Sequence, residues 1–192
     1  MSETLIYILK TVANLYATLL LIRLLLQLVK ADFYNPISQT ILKICAPVVE
    51  PLRLIFPTIG RFNSAALVAA ILLKWLPYVI QIALSGMLST GALAFLLVAA
   101  FDLLRILIEV YFWGIFILVI ASWVGTVSHP SVSLVSQIIE PYMRPFRRVI
   151  PPIGMIDISP MAAILTLMVI RAQLLPFLGG LIVPFLTYSG FG

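Results

Sequence analysis

The sequence predicts an all-α membrane protein of four transmembrane helices in two parallel repeats, each repeat with short interfacial helices in its cytoplasmic connection. Three observations predict it. First, of 192 residues 62% are hydrophobic and 10% are charged, against about 25% charged in a soluble domain. So few charges cannot make a water-facing surface. Second, four apolar runs reach the roughly 20 residues that a span needs. Third, the two basic connections repeat each other.

The spans fall in order at about 5–29, 65–84, 99–124 and 160–186. The first opens Met1-Ser2-Glu3, with no basic n-region and no small-residue cleavage site before Lys30, so it reads as a retained span and not a signal peptide. The third lies in an apolar run from Gly91 to Val124. As one helix that run would be about 51 Å long, against a hydrocarbon core of about 30 Å. Residues 91–98 are therefore expected to be interfacial or a separate short helix.

Orientation follows from the basic residues. Lys30, Lys43, Arg53 and Arg61 follow span one; Arg144, Arg147 and Arg148 follow span three. Residues 85–90 and the tail after Leu186 carry no charge. The basic connections are expected in the cytoplasm and both termini in the periplasm, with the chain in a bacterial inner membrane. The net charge of +5 suits contact with an anionic leaflet. The scattered basic residues do not suggest nucleic-acid binding.

The second connection repeats the first at a constant offset of 94. Pro36, Pro47, Pro51 and Pro57 meet Pro130, Pro141, Pro145 and Pro151; Arg53 meets Arg147, Gly60 meets Gly154 and Asn63 meets Asp157. The repeats are expected at 1–90 and 91–192. Two spans return the chain to its starting side, so the copies are parallel, unlike inverted transporter repeats. Asn35-Pro36 reads as an N-cap followed by proline at the first helical position. Ile37, Ile41, Ile44 and Val48 then recur at helical spacing, as an amphipathic interfacial helix requires. Pro47 and Pro51 are expected to end it and to start a second short helix over 51–56. Gly60 permits a sharp turn, and Asn63 or Ser64 in the first copy and Ser159 in the second are expected caps for the following spans. A merely polar loop is the plainer reading.

On these residues the chain resembles the YGGT family of bacterial and plastid membrane proteins. The motif is Pro-x-x-x-Pro-x-Arg-x-x-x-Pro-x-x-Gly followed by Asn or Asp, here Pro47 to Gly60 with Asn63, and Pro141 to Gly154 with Asp157. The run Asp32-Phe-Tyr-Asn-Pro36 is similar to two-copy proteobacterial members. The family often has paired arginines; the first copy has Arg53-Leu54 and the second Arg147-Arg148. The resemblance implies a role in osmotic or salt tolerance, in cell division and nucleoid distribution, or, as in plastids, in haem attachment during cytochrome b6 assembly. It implies a non-enzymatic membrane organiser or assembly factor. A small channel or transporter for ions or small solutes is the alternative.

Arg53, Arg144, Arg147 and Arg148 are candidates for contact with anionic inner-leaflet lipids or with a membrane-protein partner or second copy; topological anchoring alone is the plainer reading. Lys10, Arg23, Lys74, Asp102, Arg105, Glu109 and Arg171 fall within apolar stretches, where each charge costs roughly 2.5–3.5 kcal/mol on insertion scales. Pairing between helices is favoured over a solute path, because no polar position repeats: Lys10 aligns with Leu104 and Arg23 with Ile117. Asp102 and Arg105 are expected to pair locally, and Glu109 to meet Arg171 or Lys74. His129, aligned with Asn35, reads as a cap and not as a haem ligand. Ser122 and Ser128 have no base beside them. No metal, cofactor or catalytic site is read, and Cys45 is the lone cysteine.

Overall fold

A computed structural model describes residues 2–84, 94–126, 128–151 and 157–186. Their secondary structure is helical, in the order α1 Ser2–Leu28, α2 Pro36–Leu52, α3 Ser64–Leu84, α4 Ala94–Val124, α5 Pro130–Val149, α6 Ser159–Val169, a π-helical turn Ile170–Leu174, and α7 Leu175–Leu186. Four helical stretches are long and apolar enough to span a membrane, at Glu3–Leu28, Ser64–Leu84, Phe95–Val124 and Ser159–Ile182. α4 is unbroken, so residues 94–98 extend the third span and are not a separate helix. Residues 91–93 lie outside the described part.

The spans pack through small residues. Ala65, Ala66, Ala69 and Ala70 of α3 are fully buried or nearly so, in the core that includes Leu20, Leu24 and Leu26 of α1. Close approach through small side chains is how helices associate where lipid removes the hydrophobic drive. α4 stands centrally, touching α3 and α1 on one side and α5, α6 and α7 on the other.

Both descending spans end in the same hydrogen-bonded cap. After α1, Lys30 takes a left-handed conformation at φ 54°; its N–H donates to the Gln27 carbonyl (3.3 Å) and the Ala31 N–H to that of Leu26 (2.9 Å). This is the Schellman arrangement. After α4, Gly125 stands at φ 76° and the Thr126 N–H reaches the Ala121 carbonyl at 3.0 Å. The left-handed residue is Lys30 in the first copy and Gly125 in the second, one residue beyond the offset of 94, and at Lys30 a side chain on the left-handed backbone costs roughly 1–2 kcal/mol.

The connections begin as their sequences dictate. Asn35 Oδ1 accepts from the Ile37 N–H at 2.9 Å, and His129 Nδ1 accepts from the Ser131 N–H at 3.3 Å, each ahead of a proline that opens the helix. The expected break at Pro47 and Pro51 does not occur: α2 runs through both, as α5 runs through Pro141 and Pro145. All four prolines lie on exposed faces, so the carbonyls that they free need no partner from the core. The expected second helix over 51–56 is instead a run of turns, closed by the Phe56 N–H to the Leu52 carbonyl at 2.8 Å. Ile59 and Phe62 then exchange two 3.0 Å hydrogen bonds around Gly60, at φ 61°. A positive φ at the first corner only is the pattern of a type II′ turn. Gly154, its counterpart, lies outside the described residues.

The two ascending spans share a further feature. Offset by 94, Pro77 within α3 aligns with Arg171 within the π-turn. Proline removes one backbone hydrogen bond, and a π-turn inserts one extra residue. Each copy therefore carries a helix irregularity at the same level, roughly 18–20 Å along the span.

Candidate functional site

The motif arginines are occupied by carboxylates of the same chain. Arg147 reaches Glu140 at 2.6 Å and Asp157 at 3.3 Å, so one guanidinium ties the end of α5 to the start of α6. Asp157 Oδ1 also accepts from the Ser159 N–H at 2.9 Å. Asp157, and not Ser159, therefore supplies the cap, while the Ser159 hydroxyl donates to the Ile150 carbonyl at 3.2 Å. Burial pushes the Asp157 carboxyl up, but hydrogen bonds from Ser159 and Arg147 outweigh it and hold the group below the usual carboxylate range.

In the first copy Arg53 meets Glu50 at 3.1 Å, and Arg23 meets the same carboxylate at 2.8 Å. Hydrogen bonds from Arg23, then Arg53, hold Glu50 below its ordinary range. Arg23 is 5% exposed and also donates to the Leu42 carbonyl at 3.3 Å. It fastens α2 to α1, as does Tyr16, whose hydroxyl donates to the Ile44 carbonyl at 2.8 Å. Asn63 caps α3 through the Ala66 N–H (3.0 Å) and donates to Gln27 of α1 (3.0 Å). The second arginine of the pair, Arg148, is exposed and has no partner among the described residues. The connections also touch each other. Asn35 Nδ2 donates to the Pro130 carbonyl and the Asp32 N–H to Gln137, both at 2.8 Å.

Within the spans Lys74, Asp102, Glu109 and Arg171 are in ion pairs, not all as expected. Lys74 takes Asp102 at 3.2 Å and donates to Asn14 at 3.0 Å. Tyr78 donates to Asp102 at 2.9 Å, and Lys10 donates to Gln81 at 2.9 Å while lying 5.1 Å over the Tyr78 ring. The expected Asp102–Arg105 pair does not form. A cation on α3 offers Asp102 a partly buried partner, and Arg105 is exposed, 5.7 Å over the Phe101 ring. Of the two cations considered for Glu109, Arg171 is the one beside it, at 3.1 Å, and the pair is half-exposed and not sealed.

Among the described residues a groove of about 340 Å³ has Arg147 and Asp157 in its wall, and three others adjoin these elements. One of about 450 Å³ lies between α1–α2 and α4–α5, mostly apolar, with Asn14, Thr18, Glu109 and Ser131 in its wall. A second of about 600 Å³ is polar and includes Lys30, Arg61, Gln137, Glu140 and Arg144. A third of about 380 Å³ is apolar, between α1, the start of α3 and α4. Cys45 is buried, which pushes its thiol up and leaves it unreactive.

Sequence reasoning missed Glu50, Glu140, Tyr16, Asn14, Tyr78 and Gln81. Two signals were available: Asn14, Tyr16, Tyr78 and Gln81 are polar side chains within apolar spans, and Glu50 and Glu140 stand three residues before Arg53 and four before Arg144 on one helix face. It also missed Lys30 and Arg61 as neighbours of Arg144, since only the tertiary packing of the two copies unites them.

The family model described as CCB3/YggT matches residues 2–85 and 97–178. An uncharacterized protein of Pseudomonas aeruginosa is 40% identical over 167 residues, covering 86% of this chain and 85% of its own length. The uncharacterized protein YggT of Escherichia coli K12 is 35% identical over 185 residues, covering 95% and 96%. An uncharacterized protein of Haemophilus influenzae is 32% identical over 181 residues, covering 94% and 96%. No solved structure matches the chain. Two matched copies, four apolar spans and relatives of the same length place the protein together: it is a multi-pass membrane protein of the CCB3/YggT family.

Proposed function

We propose that the protein is a non-enzymatic organiser or assembly factor of a bacterial inner membrane, with its connections in the cytoplasm and its termini in the periplasm, supporting osmotic-stress tolerance and envelope or cell-division homeostasis. The carrying observation is that both motif arginines are spent inside the chain, Arg53 on Glu50 and Arg147 on Glu140 and Asp157. Arg147 ties the end of α5 to the start of α6, and Arg53 shares Glu50 with Arg23, which fastens α2 to α1. The result is a fixed platform, and what it leaves outward is a binding surface: Arg148, Leu54 at 89% exposed, Ile55 at 70% and Val149 at 79%. Large apolar groups beside cations suit the headgroup boundary and the rim of a membrane-protein partner. The basic bias of the connections supports the orientation.

The test is crosslinking and affinity purification from native membranes, with growth at high osmolarity as the second readout. Arg148→Gln with Leu54→Ser should leave insertion intact and reduce both partner recovery and growth. Wild-type behaviour in both sinks the reading.

A second reading, a small path for ions, draws on two observations. The polar chain Lys10–Gln81 and Asn14–Lys74–Asp102–Tyr78 lies within the spans, and the helix irregularities at Pro77 and Arg171 repeat. Specific flux through liposomes holding the purified protein would favour it.

A further inference from the structure

We infer that the seam between the two copies is a binding site for one anionic diacyl phospholipid, its headgroup held by Lys30, Arg61 and Arg144 and an acyl chain laid in the furrow beside α1. This deepens the preceding reading, on which the connection face meets an anionic leaflet.

Four features converge. The polar groove of about 600 Å³ draws Lys30 from the end of α1, Arg61 from the turn before α3, and Arg144 from α5. Its one carboxylate, Glu140, is already taken by Arg147 at 2.6 Å and reaches Arg144 only at 3.9 Å. Lys30 and Arg61 have no ion-pair partner among the described residues, and both are exposed. Three cations around a cleft of that size can meet a phosphodiester, and basic pockets between spans at the inner leaflet are how membrane proteins hold anionic headgroups.

The second feature is the apolar furrow of about 380 Å³. It runs along Leu21, Leu25 and Leu28 of α1, Leu67 of α3, and Leu104 and Leu107 of α4. Leu28 lines both cavities, and Phe62 of the furrow follows Arg61 of the groove. A charged cleft opening onto an apolar one, in the direction of the membrane, has the shape of a headgroup followed by a chain. A free phosphate would have no use for the furrow.

The third feature is the backbone at Lys30. Its φ of 54° is a conformation that glycine adopts without cost, and the cap that ends α4 places a glycine, Gly125, in that conformation. A strained residue kept at a cap points to a role for its side chain. The fourth is the Gly60 turn, whose two hydrogen bonds hold Arg61 at its corner.

The experiment uses the full-length chain, delipidated in a mild detergent and titrated by native mass spectrometry with phosphatidylglycerol, phosphatidylcholine and inorganic phosphate. Phosphatidylglycerol should bind at one saturable site, and the other two should not. Arg61→Gln and Arg144→Gln should each weaken it about fivefold, the value of one basic residue near a membrane surface. Lys30→Gly should weaken it similarly while unfolding at the same temperature as wild type or higher, which separates lost contact from lost fold. Equal binding of phosphatidylcholine would overturn the role of the cations. Equal occupancy by phosphate would overturn the lipid in favour of a bare anion site. Unchanged affinity in all three variants would overturn the location. Because the titration needs no cell, a site that binds lipid in a protein without a stress or partner phenotype would sink only the preceding reading, and the converse result only this one.

Discussion

Gly114 lies where α5 crosses α4, and adding a methyl group there should cost stability that a second substitution returns. A Cβ at this position would stand 2.5 Å from Ile139 Cδ1, 2.8 Å from Ile139 Cγ1 and 3.5 Å from Val135 Cγ1. Ile139 is 1% exposed, and the space open to its end is the groove that it lines with Gly114 and Val135, so making room for the methyl means turning the side chain out of its packed position. Overpacking of this kind costs about 1–3 kcal/mol. Alanine in place of glycine inside a helix returns about 0.5–1 kcal/mol. Gly114→Ala should therefore lose about 1 kcal/mol net, from the middle of both ranges, which for a chain of this length lowers Tm by roughly 2–4 °C. Ile139→Val removes Cδ1, the nearest obstacle, and alone costs about 0.5–1.5 kcal/mol. Thermal unfolding of the full chain in one detergent gives all three values. The double variant should be more stable than the sum of the single losses by about 1 kcal/mol, as expected for residues in contact. Strict additivity, or a Gly114→Ala variant as stable as wild type, would refute the seating of α5 on α4 argued here.

Three further outcomes follow from the ion pairs. Arg147→Gln should lower detergent Tm by an amount worth about 0.5–2 kcal/mol, two partly exposed pairs at the usual value, whereas Arg148→Gln should leave Tm unchanged; equal losses would contradict the clasp. Asp157 has a folded pKa below its unfolded value near 3.9, so its stabilisation is full above that pH and is lost as pH falls through the folded value. The Tm gap between wild type and Asp157→Asn should accordingly be constant from pH 7 to 5 and close below about pH 4. Glu109→Gln and Arg171→Gln should couple in a double-mutant cycle by about 0.5–1 kcal/mol, well short of a sealed pair because both side chains are half-exposed. Glu109→Gln and Lys74→Gln should add without coupling, since Lys74 belongs to Asp102.

Spans, repeat and caps were legible in the sequence because their signals are local. Twenty apolar residues need no partner to be recognised, and Asn35-Pro36 or His129-Pro130 states a helix start in two letters. The course of α2 and α5 was not legible. A proline stops a helix only when the carbonyl that it frees has nowhere to go, and exposure of Pro47, Pro51, Pro141 and Pro145 is a tertiary fact. The ion pairs show the same limit. Arg105 is three residues from Asp102, which suggested a local pair, but burial against α3 brings Lys74 closer to the carboxylate. The motif arginines were visible as basic residues, yet their use as clasps depends on Glu140 and Asp157 lying on either side of a bend. The lipid-sized seam was least visible of all, because Lys30, Arg61 and Arg144 come from three separate parts of the chain.

Of the paired irregularities at Pro77 and Arg171, the π-turn at Arg171 changes the phase of its span. In α6–α7 one added residue turns everything beyond it by about 100° relative to an unbroken helix. A stripe that faces inward before Ile170 therefore faces elsewhere after Leu174, and a Cβ added at Gly179 would lie 3.7 Å from the Phe101 ring of α4. In α3 Pro77 frees the Leu73 carbonyl, yet the helix runs on to Leu84, so the change of phase belongs to the second copy. A single apolar period fitted across α6 and α7 would describe one part and misplace the other.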